Sequence, residues 1–278
     1  MTLPVLITVN GTAEPDPFGP GFAGDVGRGL QPNPWQIVAN KLDGLATPPA
    51  PAFWQPIGYP AATFPMGASV AAGRAEVNRQ IGLRPVGTPL ILAGYSQGAI
   101  ITGEVWSQDI LGADGVHHDR LPDVLGIINF GDPLRCPGIA NGNKVAGMPM
   151  PTELDGVTTG GIAGPKCLTA DQTPDFLLSC ALDGDLYACA PVGDNPWSAE
   201  AATGRVETGI YNIVQQATFL DVVAIAEDLL TPVATVEAIV NALGFFAQGT
   251  NAPHWQYGPF VPAMVAWVVE RIGASAAA

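Results

Sequence analysis

Residues 89–98 read Pro89-Leu-Ile-Leu-Ala-Gly-Tyr-Ser-Gln-Gly98, and they give the strongest indication of the fold. A short apolar run typical of a buried strand leads into the motif G-x-S-x-G at residues 94–98, and a helical pattern follows at residues 97–110. A sharp turn from strand to helix lifts a serine hydroxyl above the sheet, where a base and a substrate can reach it. Glycines on both sides leave space for neighbouring backbone. The motif predicts Ser96 as a nucleophile and the backbone N–H of Gln97 as an oxyanion donor.

Strand and helix patterns alternate on both sides of this motif. Further strands are indicated at residues 3–9, 124–130 and 176–178, and further helices at residues 69–81 and 262–272. This alternation predicts an α/β fold of the α/β-hydrolase type with a mostly parallel central sheet. The Gly- and Pro-rich residues 131–165 are too long for an ordinary connection and are expected to form a functional surface loop.

Residues 198–248 have a helical composition. Thr231-Pro232 supplies an N-cap and a first-turn proline, and one face of the pattern is apolar, with Val233, Val236, Val240 and Leu243. We expect a helical insertion here, inside a single catalytic domain that spans residues 1–278. Its apolar face either packs in the core or forms a lid or acyl-binding wall beside a site.

The chain has three histidines that could serve as the base for Ser96. His117 and His118 lie in a polar turn soon after the nucleophile helix and fit a solvated loop better than a metal site. His254 precedes the last predicted helix, where the order Ser, Asp, His of α/β-hydrolases places the base. We therefore predict His254 as the base.

The acid that orients this imidazole should follow a strand after the nucleophile. Three candidates remain, ranked Asp185, then Asp132, then Asp183. Asp185 and Asp183 follow the strand at residues 176–178, between Cys180 and Cys189, and a disulfide between these cysteines would hold the carboxylate rigid. Four cysteines allow three pairings, and the one that goes with this bridge joins Cys136 to Cys167.

The second oxyanion donor should come from the loop after the first strand. Thr12 follows that strand in Asn10-Gly11-Thr12 and offers both an N–H and a hydroxyl, although an ordinary turn explains the position equally well. Residues 19–24 match the nucleotide-binding pattern G-x-G-x-x-G, with Asp43 at a suitable distance. The match starts well after the strand and contains Pro20, so nucleotide binding is not favoured.

Composition and charge exclude several function classes. The 278 residues include 11 Lys and Arg against 25 Asp and Glu, a net charge of −14, and 47% of the residues are hydrophobic. Such a negative field repels phosphate backbones and anionic lipids, so no nucleic-acid partner is expected. Residues 1–10 lack a cationic segment and predict no signal peptide. The most hydrophobic stretch, residues 229–248, is interrupted by Pro232, Glu237 and Asn241 and predicts no membrane span.

With these motifs in hand, the chain resembles the cutinase-like serine esterases, and within them the lysin B family of phages. The resemblance rests on segments in a fixed order along most of the chain: Gly11-Thr12, residues 15–21, 54–61 and 64–66, Gly94 to Ala99, residues 183–188, and Pro253-His254. It implies Ser96, Asp185 and His254 as a catalytic triad, Thr12 and Gln97 as the oxyanion hole, and neither a metal nor a cofactor.

The resemblance also implies a biological role. A lysin B enzyme hydrolyses the ester between mycolic acids and arabinogalactan, so a phage enzyme made in the host cytoplasm and acting as a monomer on the host envelope at lysis is expected. The cysteines around Asp185 resemble those of cutinases, each one residue further from the aspartate. A general cutinase-like esterase or lipase acting on free lipid esters or polyesters is therefore the alternative, and a non-catalytic envelope-binding protein is the rival from another class.

Overall fold

The computed structural model describes residues 2–62, 66–151, 158–192 and 251–277. The predicted helical insertion at residues 198–248 lies outside these residues, together with its apolar face. The described residues form a layered α/β structure in which helices cover both faces of one sheet.

Within the described residues, the central sheet contains five strands, and each is parallel to its neighbours. The strands in the described part of the chain are, in order, β1 (Val5–Val9), β2 (Phe53–Pro56), β3 (Leu90–Tyr95), β4 (Val124–Phe130), β5 (Thr159–Gly160), β6 (Leu177–Cys180) and β7 (Ala190–Pro191). The order across the sheet is β2-β1-β3-β4-β6, while β5 and β7 form a separate antiparallel pair. The predicted α/β-hydrolase fold with a mostly parallel sheet is confirmed.

The described part of the chain contains six α-helices. They are α1 (Phe22–Gly29), α2 (Pro34–Leu42), α3 (Met66–Gly82), α4 (Gln97–Glu104), α5 (Asn141–Ala146) and α6 (Val261–Ala277). A π-helical segment, Val105–Ile110, continues α4 without a break. The length and apolar composition of Gly258–Ala277 would suffice to cross a bilayer; within this segment, Met264 and Val268 are buried in the apolar layer against the sheet.

Two apolar layers hold the helices on the sheet, because successive strand residues point to opposite faces. Ile7 and Leu92 pack with α3 and α4 on one face. Leu6 and Ile91, each one residue earlier, pack with α1 and α6 on the other. Strands buried on both faces read as continuous apolar runs, and for this reason β1, β3 and β4 were predictable from the sequence.

Other elements were not predictable in this way. Strand β2 is four residues long and ends in Pro56, and α1 contains three glycines, so neither produces a clear periodic signal. Residues 131–165, expected to be a loop, contain the short helix α5 and the strand β5. This segment therefore carries more regular structure than its Gly and Pro content suggests.

The parallel sheet gathers the candidate residues at one edge. Strands β1, β3, β4 and β6 all end on the same side, and the loops that follow them carry Thr12, Ser96, Asp132 and Asp185. Ligands of open α/β sheets bind outside this carboxyl edge. The topology therefore places all of the candidates near one another, and only the side-chain contacts distinguish them.

Candidate active site

Ser96 lies on a strained turn between β3 and α4. Its φ and ψ are 55° and −117°, a backbone conformation that residues other than glycine rarely adopt. The turn is held by a hydrogen bond from the Ser96 N–H to the Phe130 carbonyl (3.0 Å). A Cβ at Gly94 would collide with Thr102 and the Gly98 carbonyl, and a Cβ at Gly98 would collide with the carbonyls of Val9 and Asn10. The two glycines are therefore required by close backbone packing, as the motif predicts.

Three side chains meet above this turn. The Ser96 hydroxyl Oγ lies 2.8 Å from Nε2 of His254, and Nδ1 of the same ring lies 2.9 Å from Oδ2 and 3.0 Å from Oδ1 of Asp185. His254 is 3% exposed and Asp185 is 0% exposed, so water does not compete for these hydrogen bonds. The arrangement has the geometry of a nucleophile, a base and an orienting acid. The catalytic roles of the three residues stay a prediction.

The His254 ring is held by aromatic neighbours. It follows Pro253 in a short 3-10 turn, and the Tyr95 hydroxyl donates to its backbone carbonyl (2.8 Å). The Tyr95 ring stacks on the imidazole with centroids 5.2 Å apart, and the Tyr187 ring lies 4.7 Å away. Gly131, with φ of 54°, has space for hydrogen only, since a Cβ there would lie 2.9 Å from Cε1 of His254. These contacts fix the position of the ring.

Asp185 lies in a tight turn after β6. Its backbone N–H donates to the Leu182 carbonyl (3.0 Å), and its own carbonyl accepts the N–H of Cys189 (2.7 Å). Its carboxylate accepts the backbone N–H of Tyr187 (3.0 Å) and the hydroxyl of Tyr257 (2.6 Å). Tyr257 was not predicted, because no motif or periodicity in the sequence indicates that this tyrosine contacts the aspartate.

The two predicted oxyanion residues also lie together. The Gln97 side-chain amide donates to the Ala62 carbonyl (2.9 Å) and to Oγ1 of Thr12 (3.4 Å), while its Oε1 accepts the Ser69 hydroxyl (2.7 Å). Gln97 is the first residue of α4, so its backbone N–H has no acceptor within the helix. Gln97 directly follows Ser96, and Thr12 lies against the Gln97 side chain. The role of both residues as oxyanion donors stays a prediction.

The loop that carries Thr12 contains a carboxylate that the sequence analysis missed. Glu14 accepts the backbone N–H of Gly11 through Oε2 (2.7 Å), and its neighbour Ala13 has a φ of 63°. Burial raises the pKa of the Glu14 carboxyl above its usual range, although the bond from Gly11 acts in the opposite direction. The contact braces the strained turn from within.

The rival acids make different contacts. Asp132 accepts the Asn129 amide (3.0 Å) and the backbone N–H of Leu134 (2.8 Å), and it is 0% exposed. Burial raises the pKa of its carboxyl to about 6. Asp183 lies on the exposed side of the turn that contains Asp185. The structure therefore brings Asp185 to His254, in agreement with the predicted ranking.

The other two histidines contact backbone carbonyl groups. Nε2 of His117 lies 2.9 Å from the Asn78 carbonyl, and Nδ1 of His118 lies 3.1 Å from the Ile110 carbonyl. The described ranges contain no group of three His, Cys, Asp or Glu side chains arranged to hold a metal ion. In the segment at residues 19–24 that resembles a nucleotide-binding motif, the backbone N–H of Gly24 donates to Oδ1 of the Asn10 side chain (3.0 Å).

The expected disulfides are wrong. Cys180 and Cys189 are not bonded to each other, and Cys136 is not bonded to Cys167. Cys180 is the last residue of β6 and points into the core, with its Sγ 3.9 Å from Sδ of Met264. Burial raises the pKa of the Cys189 thiol to about 12. Backbone hydrogen bonds and Tyr257, and not a disulfide, therefore hold the Asp185 turn.

Comparisons with known proteins agree with this architecture. Residues 39–159 match the PE-PPE domain family. The chain is 32% identical to Endolysin B of Mycobacterium phage L5 over 264 residues, 92% of this chain and 94% of that protein, and 32% identical to Endolysin B of Mycobacterium phage D29 over 265 residues, with the same coverage. The crystal structure of lysin B from Mycobacteriophage D29 superimposes with a TM-score of 0.64 at 30% identity, and covers 96% of this chain and 99% of that one.

The fold, the site and these relatives define a carboxylic ester hydrolase of the α/β-hydrolase class. With one third of its residues identical across nearly the whole of both chains, the protein belongs to the endolysin B family, also called lysin B.

Proposed function

We propose that this protein hydrolyses the ester bond between mycolic acids and arabinogalactan in the envelope of the host during phage lysis. The observation that carries the proposal is the continuous chain of hydrogen bonds from Ser96 through His254 to Asp185, in a chain of the endolysin B family. The enzyme is made in the infected host, works as a monomer and needs no metal or cofactor. Its single catalytic domain spans residues 1–278, with a helical insertion near residues 198–248.

The first half of the reaction forms an acyl-enzyme. His254 takes the proton of the Ser96 hydroxyl as Oγ attacks the carbonyl carbon of the ester. The negative charge on the tetrahedral oxygen is stabilised by the backbone N–H of Gln97 and by Thr12. Asp185 accepts the Nδ1 proton throughout and stabilises the charged imidazole. Collapse of this intermediate expels the sugar alkoxide, which receives its proton from His254.

The second half releases the fatty acid. A water molecule gives a proton to His254 and attacks the acyl carbon, and the same oxyanion donors stabilise the second tetrahedral intermediate. The Ser96 oxygen then leaves and regains its proton from His254. Trp255 is 41% exposed directly beside this histidine, so an apolar ring is available at the mouth of the site for a lipid acyl chain.

The decisive experiment measures fatty-acid release from purified mycolyl-arabinogalactan by the wild type and by Ser96→Ala, with a medium-chain chromogenic ester in parallel. We expect release by the wild type alone and a loss of at least about 10⁴-fold in Ser96→Ala, since the nucleophile is absent. Ser179→Ala is the matched control, because Ser179 is buried in β6 and its hydroxyl has no hydrogen-bond partner among the described residues.

The other outcomes identify the alternatives. Cleavage of the small ester without release of mycolic acid would favour a general cutinase-like esterase acting on free lipid esters or polyesters. Full activity in a folded Ser96→Ala would overturn the serine mechanism. Labelling of Ser96 by a serine-reactive phosphonate supplies an independent count of working sites.

A further inference from the structure

The carboxylate of Asp185 has more hydrogen-bond donors than a triad requires. Its Oδ1 accepts the backbone N–H of Tyr187 at 3.0 Å, and its Oδ2 accepts the phenolic hydroxyl of Tyr257 at 2.6 Å, in addition to the contacts of both oxygens with Nδ1 of His254. Bonds to an ionised acceptor are shorter and about twice as strong as neutral ones. The bond from Tyr257 is the shortest of the four.

Tyr257 can act only as a donor in this place. Its side chain is fully buried, and burial first, followed by the negative charge of Asp185, raises the pKa of the phenol well above its ordinary value. The hydroxyl therefore keeps its proton throughout the pH range in which the enzyme works. A carboxylate only accepts hydrogen bonds, so the pair has a single possible direction.

The ring and the hydroxyl of Tyr257 make different kinds of contact. The ring packs against Phe22, Phe130 and Phe260, with centroid separations of 5.6–6.1 Å. A phenylalanine would satisfy these apolar contacts, so packing does not explain the hydroxyl. Burying a hydroxyl is unfavourable unless it is hydrogen-bonded, and this one is directed at the acid of the site.

We propose that Tyr257 is a positioning residue of the esterase reaction, whose hydroxyl fixes the Asp185 carboxylate against Nδ1 of His254 and withdraws negative charge from it. The proposal rests on the proposed roles of Ser96, His254 and Asp185. With Tyr187 N–H on one oxygen and Tyr257 on the other, the carboxylate cannot rotate away from the imidazole. Tyr257 acts through Asp185 and does not touch the reacting atoms.

Other charged and titratable groups surround the same histidine. Glu14 approaches from the loop after β1, Tyr95 from the end of β3, and Tyr187 from the turn after β6. Arg135, in the segment after β4, donates to the Ala188 carbonyl beside that turn. None of these is altered by removing the Tyr257 hydroxyl, so a change in the pH profile can be assigned to it.

The test compares Tyr257→Phe with Tyr95→Phe. Both variants lose one buried phenolic hydroxyl, but Tyr95 donates to the backbone carbonyl of His254 and not to the carboxylate. Without its donor, Asp185 carries more negative charge and favours the protonated imidazole. We expect the acid limb of the kcat/KM profile to move to higher pH by about half a unit to one unit in Tyr257→Phe, and kcat to fall about 5- to 20-fold at unchanged KM.

The Tyr95→Phe variant loses a contact that fixes the His254 ring, so its stability and kcat should fall. The acid limb should keep its wild-type position, because the Asp185 carboxylate keeps all of its donors. The proton resonance of the His254 Nδ1–H should move in Tyr257→Phe and stay in Tyr95→Phe. An acid limb that stays in Tyr257→Phe, or that moves equally in both variants, would overturn the proposal.

A second variant covers a failure of Tyr257→Phe to fold. Replacing Tyr257 with 3-fluorotyrosine keeps the shape and makes the hydroxyl a stronger donor, so the acid limb should move to lower pH; no movement would overturn the proposal. Phosphonate titration and Ser96→Ala are run alongside. Activity without Ser96 would overturn the proposed function, whereas a Ser96-dependent enzyme indifferent to Tyr257 would overturn only this inference.

Discussion

Asp185 and Asp132 occupy equivalent places in the fold and have different partners. Each lies in the loop after a parallel strand, Asp185 after β6 and Asp132 after β4, and these strands are neighbours in the sheet. Both side chains are 0% exposed. Position and burial therefore do not tell the two carboxylates apart.

Their partners do. Asp132 accepts from the amide of Asn129 and from a backbone N–H, which are neutral groups that cannot gain a proton, and burial raises the pKa of its carboxyl to about 6. Asp185 contacts His254, which becomes positive in the proposed reaction. The difference teaches that the partner, and not burial or position, sets the part a carboxylate can play: Asp185 faces an imidazole that it can orient, whereas Asp132 bonds to amides and braces a loop.

The largest expected effect separates the two aspartates by activity. Asp185→Asn should lower kcat by about 10³- to 10⁴-fold, because an amide neither stabilises the charged imidazole nor keeps it in the reactive tautomer. Asp132→Asn should stay within about tenfold of the wild type, since Asn129 can turn its own amide over to pair with the new one. The measurement is kcat on the chromogenic ester, corrected for phosphonate-titrated sites. Equal losses in the two variants would break the comparison.

The second effect separates them by stability against pH. The folded pKa of Asp132, about 6, lies above its ordinary value of 3.8, so the folded protein holds this proton after the unfolded chain has lost it. The contribution of this group to the free energy of unfolding is therefore complete below about pH 4. It falls by about 3 kcal/mol as the pH rises to about 6. Asp132→Asn abolishes this fall.

Denaturant unfolding of the wild type and Asp132→Asn at pH 4, 5, 6 and 7 checks this prediction. From pH 4 to pH 7, the free energy of unfolding of the variant should rise relative to that of the wild type by about 3 kcal/mol. A constant difference would mean that Asp132 is ionised in the folded protein throughout.

The third and smallest effect concerns Gly131, which lies in the loop after β4 and approaches both His254 and Asp185. Gly131→Ala should lower kcat about 10- to 100-fold, because the new Cβ would lie within 2.9–3.1 Å of His254 and Oδ2 of Asp185. Gly147→Ala is the matched control: its φ of 64° resembles the 54° of Gly131, but no described atom lies within 4 Å of the new Cβ.

Both glycine variants should lose about 1–2 kcal/mol of unfolding free energy from the positive φ alone. Only Gly131→Ala should also lose activity. If the two variants keep the same kcat, contact between the loop after β4 and the imidazole is not required for catalysis.

Much of the fold was predictable because the signals are local. Strands β1, β3 and β4 are continuous apolar runs, and the turn at Ser96 needs glycines at two fixed positions. The order of Ser96 and His254 along the chain follows from the same fold. Short elements such as β2 were missed, because four residues that end in a proline carry no periodicity.

Contacts between distant residues were not predictable in the same way. The expected Cys180–Cys189 bridge is wrong, because spacing alone does not show that Cys180 points into the core against Met264. Tyr257 was missed, since its partner lies 72 residues earlier in the chain.

Chain order and local patterns of apolar side chains and glycines were therefore enough to predict the class of fold and to indicate Ser96 as the candidate nucleophile and His254 as the candidate base. Which buried aspartate faces His254, and what holds it there, depends on tertiary contacts that no local pattern encodes. Three aspartates had the right residue type and sequence region, and hydrogen-bond direction is a property of atoms brought together across the sheet. Folding distinguishes Asp185 from Asp132 by the partner that each one meets.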